Sequence, residues 1–228
     1  MKKLFVPLLI LSFAACNKPN NSYTVTVSIA GIEDGKKVYI RKADQINQLT
    51  NIDTTEVLNG KISYKEIVDG PDMRYIYIED VNGNIAYIAE PGTIDITAYK
   101  DSINASKVEG TPSNEELYDF IKDSKVIGDK MVALRTEYSK AFQSGDTVTI
   151  STLQEVFSDL QQEAQAYDIN YVKANPESFI SVMLIERMLL MHSRPLDTVQ
   201  KLYNEVPESY KNSRVGKNIV SMIETAKQ

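Results

Sequence analysis

One cysteine, one histidine and no tryptophan occur among 228 residues. A lone cysteine excludes an internal disulfide, a CxxC redox pair and a multi-thiolate zinc site. A lone histidine excludes HExxH zinc chemistry and leaves only His192 as an imidazole base. No apolar run approaches the ~20 residues of a bilayer-crossing helix. Basic runs are missing as well. The net charge is −6, and the parts on either side of Gly110 both come out acidic, which excludes the positive footprint that nucleic acid requires. Glycine and proline, at 10 and 8 residues, are too few for a collagen-like or low-complexity chain. What is present, 43% hydrophobic and 25% charged residues, suits a folded chain of one or two domains with a real core.

The first residues read as an address. Met1-Lys2-Lys3 forms a positive n-region, Leu4 to Phe13 an apolar h-region, and Ala14-Ala15 a small-residue pair directly before Cys16. Phe13-Ala14-Ala15-Cys16 resembles a bacterial lipobox, with Phe13 in place of the usual Leu, so residues 1–15 are expected to be a signal peptide and Cys16 the acylated anchor. Cleavage by an ordinary signal peptidase after Ala15 would instead leave a free thiol. Each acyl chain contributes about 0.8 kcal/mol per buried methylene, so several chains, such as palmitate, hold a protein firmly. Asn17 is not the Asp of an inner-membrane retention signal, and Lys18-Pro19-Asn20-Asn21 lacks the acidic run of surface-exported lipoproteins. By resemblance, the expected location is the periplasmic face of the outer membrane, with residues 16–22 as a lipidated tether.

From Tyr23 to about Glu109 the hydrophobic period is two. Val25, Val27 and Ile29 alternate with polar residues, Asn59-Gly60 is a strong hairpin signal, and Asn82-Gly83 and Pro91-Gly92 mark further turns. About seven or eight short strands predict an α+β chain with an N-terminal antiparallel β-sandwich over residues 23–110. At Gly110 the period changes to helical. Ser113-Asn-Glu-Glu116 reads as a capping box, Asn175-Pro176 as a helix stop, and residues 111–228 as a helical domain of four to five helices.

Several segments then recur in a telling order. Gly31-Ile-Glu-Asp-Gly35-Lys-Lys-Val-Tyr-Ile40, Asp53-Thr54 with Asn59-Gly60-Lys61, Glu90-Pro91-Gly92 with Ile94, and Val108-Glu109-Gly110 with Asn114 resemble domain of unknown function 4369. Asn175-Pro176-Glu177-Ser178, Leu202-Tyr203-Asn204 and Ser213-Arg-Val-Gly216-Lys217 extend the resemblance to the N-terminal region of periplasmic TlpA/ResA-like thiol–disulfide interchange proteins. In the longer relatives a thioredoxin-like domain with a CxxC motif follows, at the place where this sequence reaches Gln228. No residue here is therefore expected to inherit a redox role.

Candidate sites compete with plainer roles. Met183, Met188, Met191 and His192 offer soft ligands for Cu(I), yet Met188 and Met191 also fit the core stripe of a buried helix, so no metal site is assigned. Carboxylate pairs at Glu79-Asp80, Asp69 with Asp72, and Glu115-Glu116 could serve a hydrolase, but turn and cap chemistry accounts for each. Tyr39, Tyr64, Tyr75, Tyr77, Tyr87 and Tyr99 suit either a ligand groove or a half-buried sheet. Asp-Ser/Thr acceptor-like sites at Thr54, Ser102, Thr147 and Thr198 resemble O-glycan attachment points of exported proteins in Bacteroidetes-type bacteria, expected in turns or helix starts.

These features predict a non-enzymatic, lipid-anchored periplasmic binding or scaffold module for a protein, peptide or glycan, with no cofactor. The alternative is an accessory to thiol–disulfide exchange working with a separate thioredoxin-like protein. If the acceptor-like sites are used, the intact mass of protein from its native host will exceed that of the lipidated polypeptide. A mass equal to the lipidated chain alone would refute the glycans.

Overall fold

The computed structural model describes residues 21–44 and 48–227. The signal segment and Cys16 lie outside the described residues. Among the described residues, eight strands form two four-stranded sheets: β1 Ser22–Ala30, β2 Lys37–Ala43, β3 Leu49–Glu56, β4 Lys61–Ile67, β5 Asp72–Ile78, β6 Ile85–Ala89, β7 Gly92–Tyr99 and β8 Lys107–Glu109. One sheet has the order β4-β1-β7-β8 and the other β3-β2-β5-β6. Their facing sides bury the alternate residues Val25, Val27 and Ile29 of β1, Val38 and Ile40 of β2, and Ile94 and Ile96 of β7. The expected sandwich is therefore present, and helices follow it.

Two details depart from the expected antiparallel hairpins. β1 and β7 pair in parallel, from Tyr23↔Gly92 to Ala30↔Tyr99, while all other strand pairs are antiparallel. Alternation reports which face is buried, not strand direction, and the intervening strands serve as the long crossover that a parallel pair needs. The second departure is at Asn59-Gly60. Both residues have positive φ, 53° and 67°, and Leu58 and Lys61 exchange backbone hydrogen bonds of 2.9 and 3.1 Å, as a tight primed turn requires. The strands on either side nevertheless enter different sheets, β3 pairing with β2 and β4 with β1. The turn carries the chain across the sandwich, held by the Asp34 carboxylate, which accepts the Gly60 N–H at 2.9 Å.

The helices are α1 Pro112–Ser144, α2 Thr147–Ala174, α3 Phe179–Leu190, α4 Leu196–Asn204, α5 Glu208–Lys211 and α6 Arg214–Thr225, with a 3-10 helix at Lys100–Ala105. α5, one turn after Pro207, and the 3-10 helix are too short to leave a periodic signal. α1 and α2 form a long hairpin closed by Gly145 at φ 70° and by Asp146, whose side chain accepts the Thr149 N–H. α3 is the centre of a second core, where Phe179, Ile180 and Ile185 pack with Val199, Val215 and Ile219. Ile88 of β6 belongs to this helical core rather than to the sandwich interior. The helices thus pack on the outer face of the second sheet.

The junction does not use the expected capping box. Thr111 is the N-cap of α1 and makes no side-chain cap bond, and Pro112 holds the first helical position. Ser113 therefore falls one position later, where its own amide lacks a helical partner. That N–H and the Ser113 hydroxyl both donate to Glu90, at 2.9 and 2.7 Å, so a carboxylate from the β6–β7 turn faces the positive end of α1. Glu116 accepts the Ser178 hydroxyl at 2.8 Å instead of bonding back. Gly110 supplies the sharp entry: its φ is +96°, and a Cβ there would lie 2.4 Å from the Thr93 carbonyl oxygen.

Next to Ser113, Asn114 is fully buried. Its Oδ1 accepts the Ile88 N–H at 2.8 Å, and its Nδ2 donates to the Ile88 carbonyl at 2.8 Å and to Thr111 Oγ1 at 2.7 Å. β6 is an edge strand, so the amide completes a row of backbone groups that no further strand satisfies. Asn114→Ala leaves a buried donor and acceptor unpaired, each costing about 1–3 kcal/mol. We expect a loss of about 2–4 kcal/mol in urea unfolding; a loss below about 1 kcal/mol would show that water replaces the amide.

Candidate functional site

Two features of the junction combine chemistry with accessibility. The first is an ion cluster at one end of the sandwich. Arg74, on the inward face of β5 and 4% exposed, donates through Nε and Nη2 to both oxygens of Glu66 on β4, at 3.0 and 2.9 Å. Its Nη1 donates to Asp72 at 2.9 Å. The other oxygen of Asp72 accepts from Nε and Nη2 of Arg214 on α6, at 3.0 and 2.9 Å. The chain of forks links both sheets to the last helix. Tyr23 on β1 donates its hydroxyl to Glu66 and lies 3.2 Å from the Tyr87 hydroxyl.

The electrostatics favour holding over proton transfer. Burial opposes ionisation of Glu66, but the Arg74 guanidinium and the Tyr23 hydroxyl outweigh it and hold the carboxyl below its ordinary range. Burial above all, with the neighbouring Tyr87 and Glu66, pushes the Tyr23 phenol far up, so it stays a neutral donor. A groove of 510 Å³ opens beside the cluster, and its rim carries Lys42, Lys217 and Asp69. The carboxylates are committed to guanidinium forks, an arrangement that fixes geometry.

The second feature is a groove of 500 Å³ where β6 and β8 face each other across the open side of the sandwich. Its lining is mainly apolar: Ile85, Ile103, Val108, Leu117 and, at the rim, Tyr118 and Ile121. The backbone of Ile88 points away from β5 to meet Asn114. In an antiparallel pair, alternate residues share an orientation, so the N–H and C=O of Ala86 point to the same free edge. Ala86 lines the groove. Apolar walls thus flank a stretch of strand edge. The Asn84 N–H, just before it, is held by Asn104 Oδ1 at 3.0 Å, which ties the turn to the 3-10 helix.

The residues singled out from sequence fall elsewhere. Met188 is buried in the helical core, whereas Met191 is 70% exposed and His192 lies at the surface with φ 47°. Among the described residues no group of three or more His, Cys, Asp or Glu could hold a metal ion. Asp80 pairs with Lys36 at 2.6 Å, Glu115 is exposed, and Asp72 and Glu116 serve the junction bonds above. Tyr87 is buried, Tyr39, Tyr64, Tyr75 and Tyr77 are half-buried, and Tyr99 is exposed. Tyr39 and Tyr77 hold the Arg41 guanidinium at 5.7 and 4.6 Å from their ring centres. Ser102, Thr147 and Thr198 lie in the 3-10 helix and at the starts of α2 and α4, but Thr54 sits inside β3, not in a turn. Its largely exposed edge strand, in which only Ile52 and Thr55 are half-buried, lacks the alternation that would reveal it.

The candidate residues that individual motifs did not flag are Glu66, Arg74, Glu90, Asn114 and Arg214, which are joints between elements, and Ala86 on the open strand edge. A signal did exist for three of them, because Glu90, Asn114 and Arg214 lie within the segments that carry the family resemblance. Glu66 has a pH signature. A carboxyl whose folded pKa is depressed stabilises the fold above its unfolded value of about 4.3, and loses that contribution as pH falls through the lower folded value. Glu66→Gln is therefore expected to be less stable than wild type at neutral pH, with the gap in urea midpoints narrowing below about pH 4. A gap unchanged over that range would refute the assignment.

No curated protein matches the chain. Among solved structures, the chain is similar to one titled pT26-6p at 15% identity and a TM-score of 0.15, over 85% of this chain and 42% of that one. It therefore spans less than half the length of that structure. The family model described as Domain of unknown function (DUF4369) matches residues 23–117, which hold the whole sandwich with Glu90, Gly110 and Asn114. The β-rich part of this protein is thus similar to the DUF4369 family over residues 23–117.

Proposed function

We propose that the protein is a lipid-anchored periplasmic binding module, held at the outer membrane through acylated Cys16, whose β6–β8 groove receives an extended peptide segment of a protein partner. The observation that carries this reading is the Ala86 edge backbone set among apolar walls. A peptide laid there would gain main-chain hydrogen bonds from the strand edge and side-chain burial from the groove, the two components of recognition by strand addition. Asn114 already supplies the same pair of bonds to Ile88 two residues along, so a peptide amide has an intramolecular counterpart. The segments beyond the DUF4369 domain support kinship with the N-terminal region of TlpA/ResA-like proteins. Residues 1–228 hold one thiol, at the proposed anchor, and so contain no thiol pair for exchange chemistry.

Selection from a displayed library of random peptides on the chain starting at Asn17 tests the groove. Enriched peptides should bind with micromolar affinity and lose at least about tenfold with Ile121→Lys and with Ala86→Pro, which removes the edge N–H. Ile121 is 53% exposed, so its replacement should leave the melting temperature unchanged. No enrichment, or binding that both variants leave intact, would overturn the proposal.

A further inference from the structure

The α1–α2 hairpin extends well past the body that supports it. Leu117 and Phe120 of α1, and Ile169, Tyr171 and Val172 of α2, join the helical core, whereas Leu134, Ala141 and Leu160 are buried in neither core. From Phe120 to Ser144 the hairpin projects about 36 Å at 1.5 Å per residue. Its internal seam is a heptad pattern. In α1 the seam positions run Leu117, Phe120, Ser124, Ile127, Met131, Leu134, Tyr138 and Ala141, and in α2 Ile150, Leu153, Phe157, Leu160, Ala164, Tyr167 and Tyr171; all are sheltered except Tyr138 and Phe157, which are 37 and 38% exposed. This is the spacing of an antiparallel two-stranded coiled coil.

The two flanks of that seam differ in charge, although each carries exposed apolar side chains, Val126 and Val156 on the charged one. On one side, Lys130 pairs with Glu163 across the hairpin at 3.1 Å and Lys140 pairs with Glu137 at 2.9 Å, with Asp123 and Asp159 nearby in the heptad. The other flank carries Ile121, Val132 and Phe142 on α1, exposed by 53, 63 and 69%, and the uncharged Ser151, Gln154, Ser158 and Gln161 on α2. Lys125 and Arg135 are the charges on this flank between Ile121 and Gln165. A cleft of 330 Å³ opens on the same side, lined by Leu134, Tyr138, Leu153 and Phe157 with Arg135 and Gln154 at its mouth.

We propose that this uncharged flank binds the same flank of a second copy, so that two hairpins lie side by side as a four-helix bundle with each α1 over the partner α2. Self-recognition requires one face to carry both a projection and its receptacle. Phe142 is the projection, and it leans toward the N-terminal end of α1, where the Leu134–Phe157 cleft lies. Arg135 at the mouth can stack on an incoming aromatic ring. Charge acts on this pairing only at longer range: of the cations on α1 from Lys122 onward, Lys125 and Arg135 lie on the face, while Glu155, Asp159 and Glu163 of α2 lie off it. A face about 32 Å long and about 20 Å wide buries roughly 1,300 Å² in total, within the range of stable interfaces.

Every described element lies beyond residue 20, so the chain starting at Asn17 keeps the fold and has no cysteine. Light scattering of this chain at about 100 µM should give the mass of a dimer, and Phe142→Asp should weaken association at least about tenfold while melting as wild type does at dilutions where both are monomeric. Paired Ser139→Cys and Ser151→Cys substitutions should form interchain disulfides. Within one hairpin, helix axes 8–10 Å apart keep these outward positions beyond bridging distance, about 7 Å between Cα atoms. Lys140→Cys with Thr152→Cys, on the charged flank, should not cross-link. A monomeric wild type, a Phe142→Asp protein that remains dimeric, or cross-linking through the charged flank would overturn the proposal. A monomer that instead binds a foreign acidic helix on this face would do the same.

Discussion

Strand β6 ends the second sheet, and the side-chain amide of Asn114 occupies the place where a further strand would begin. An edge backbone buried without partners is expensive, and α1 resolves the problem by bringing one peptide-like side chain to Ile88. The contact also fixes where α1 starts, because Ser113 beside it is anchored on Glu90 from the turn after β6. Once α1 is placed, α3 can cover the outer face of β6, and Ile88 enters the helical core. The groove is what remains of the edge beyond the single amide.

The Glu66–Arg74–Asp72–Arg214 chain provides the second tie between the halves. A buried ion cluster is a weak source of net stability, because desolvation offsets much of the attraction. Its geometry is specific, however: a bidentate fork on Glu66 at one end, and two donors converging on one oxygen of Asp72 at the other, hold the two sheets and α6 in one arrangement. Gly216 adds a steric condition at the same helix, since a Cβ there would meet the Tyr210 carbonyl at 2.3 Å, and its own carbonyl accepts the Tyr203 hydroxyl. The segments of family resemblance thus map onto mechanical joints: Asp34 with Gly60, Glu90 with Ser113, Asn114 with Ile88, and Ser213-Arg214 with α6.

Distance from these joints separates the tip of the α1–α2 hairpin from the rest of the fold. Near the body its residues share the helical core, and farther out they bury only one another. An extended hairpin with one charged and one uncharged flank has exchanged internal packing for available surface. The strand edge and the hairpin therefore offer two different kinds of contact, one through main-chain bonds and one through side-chain packing.

Local periodicity made the order of strands then helices readable, along with the change near Gly110 and the stop at Asn175-Pro176. Alternation and helical spacing report which side of one element is sheltered, and that depends on neighbouring residues alone. The direction of β7 beside β1, the separation of β3 from β4 across a tight turn, and the partners of Ser113, Glu66 and Asp72 were decided only in the folded chain. Each depends on groups far apart in sequence, such as Asp72 with Arg214 and Glu90 with Ser113, and no local pattern encodes which distant group will arrive. The lone cysteine limits chemistry from the sequence alone, whereas the open edge and the uncharged hairpin flank exist only once those distant groups have met.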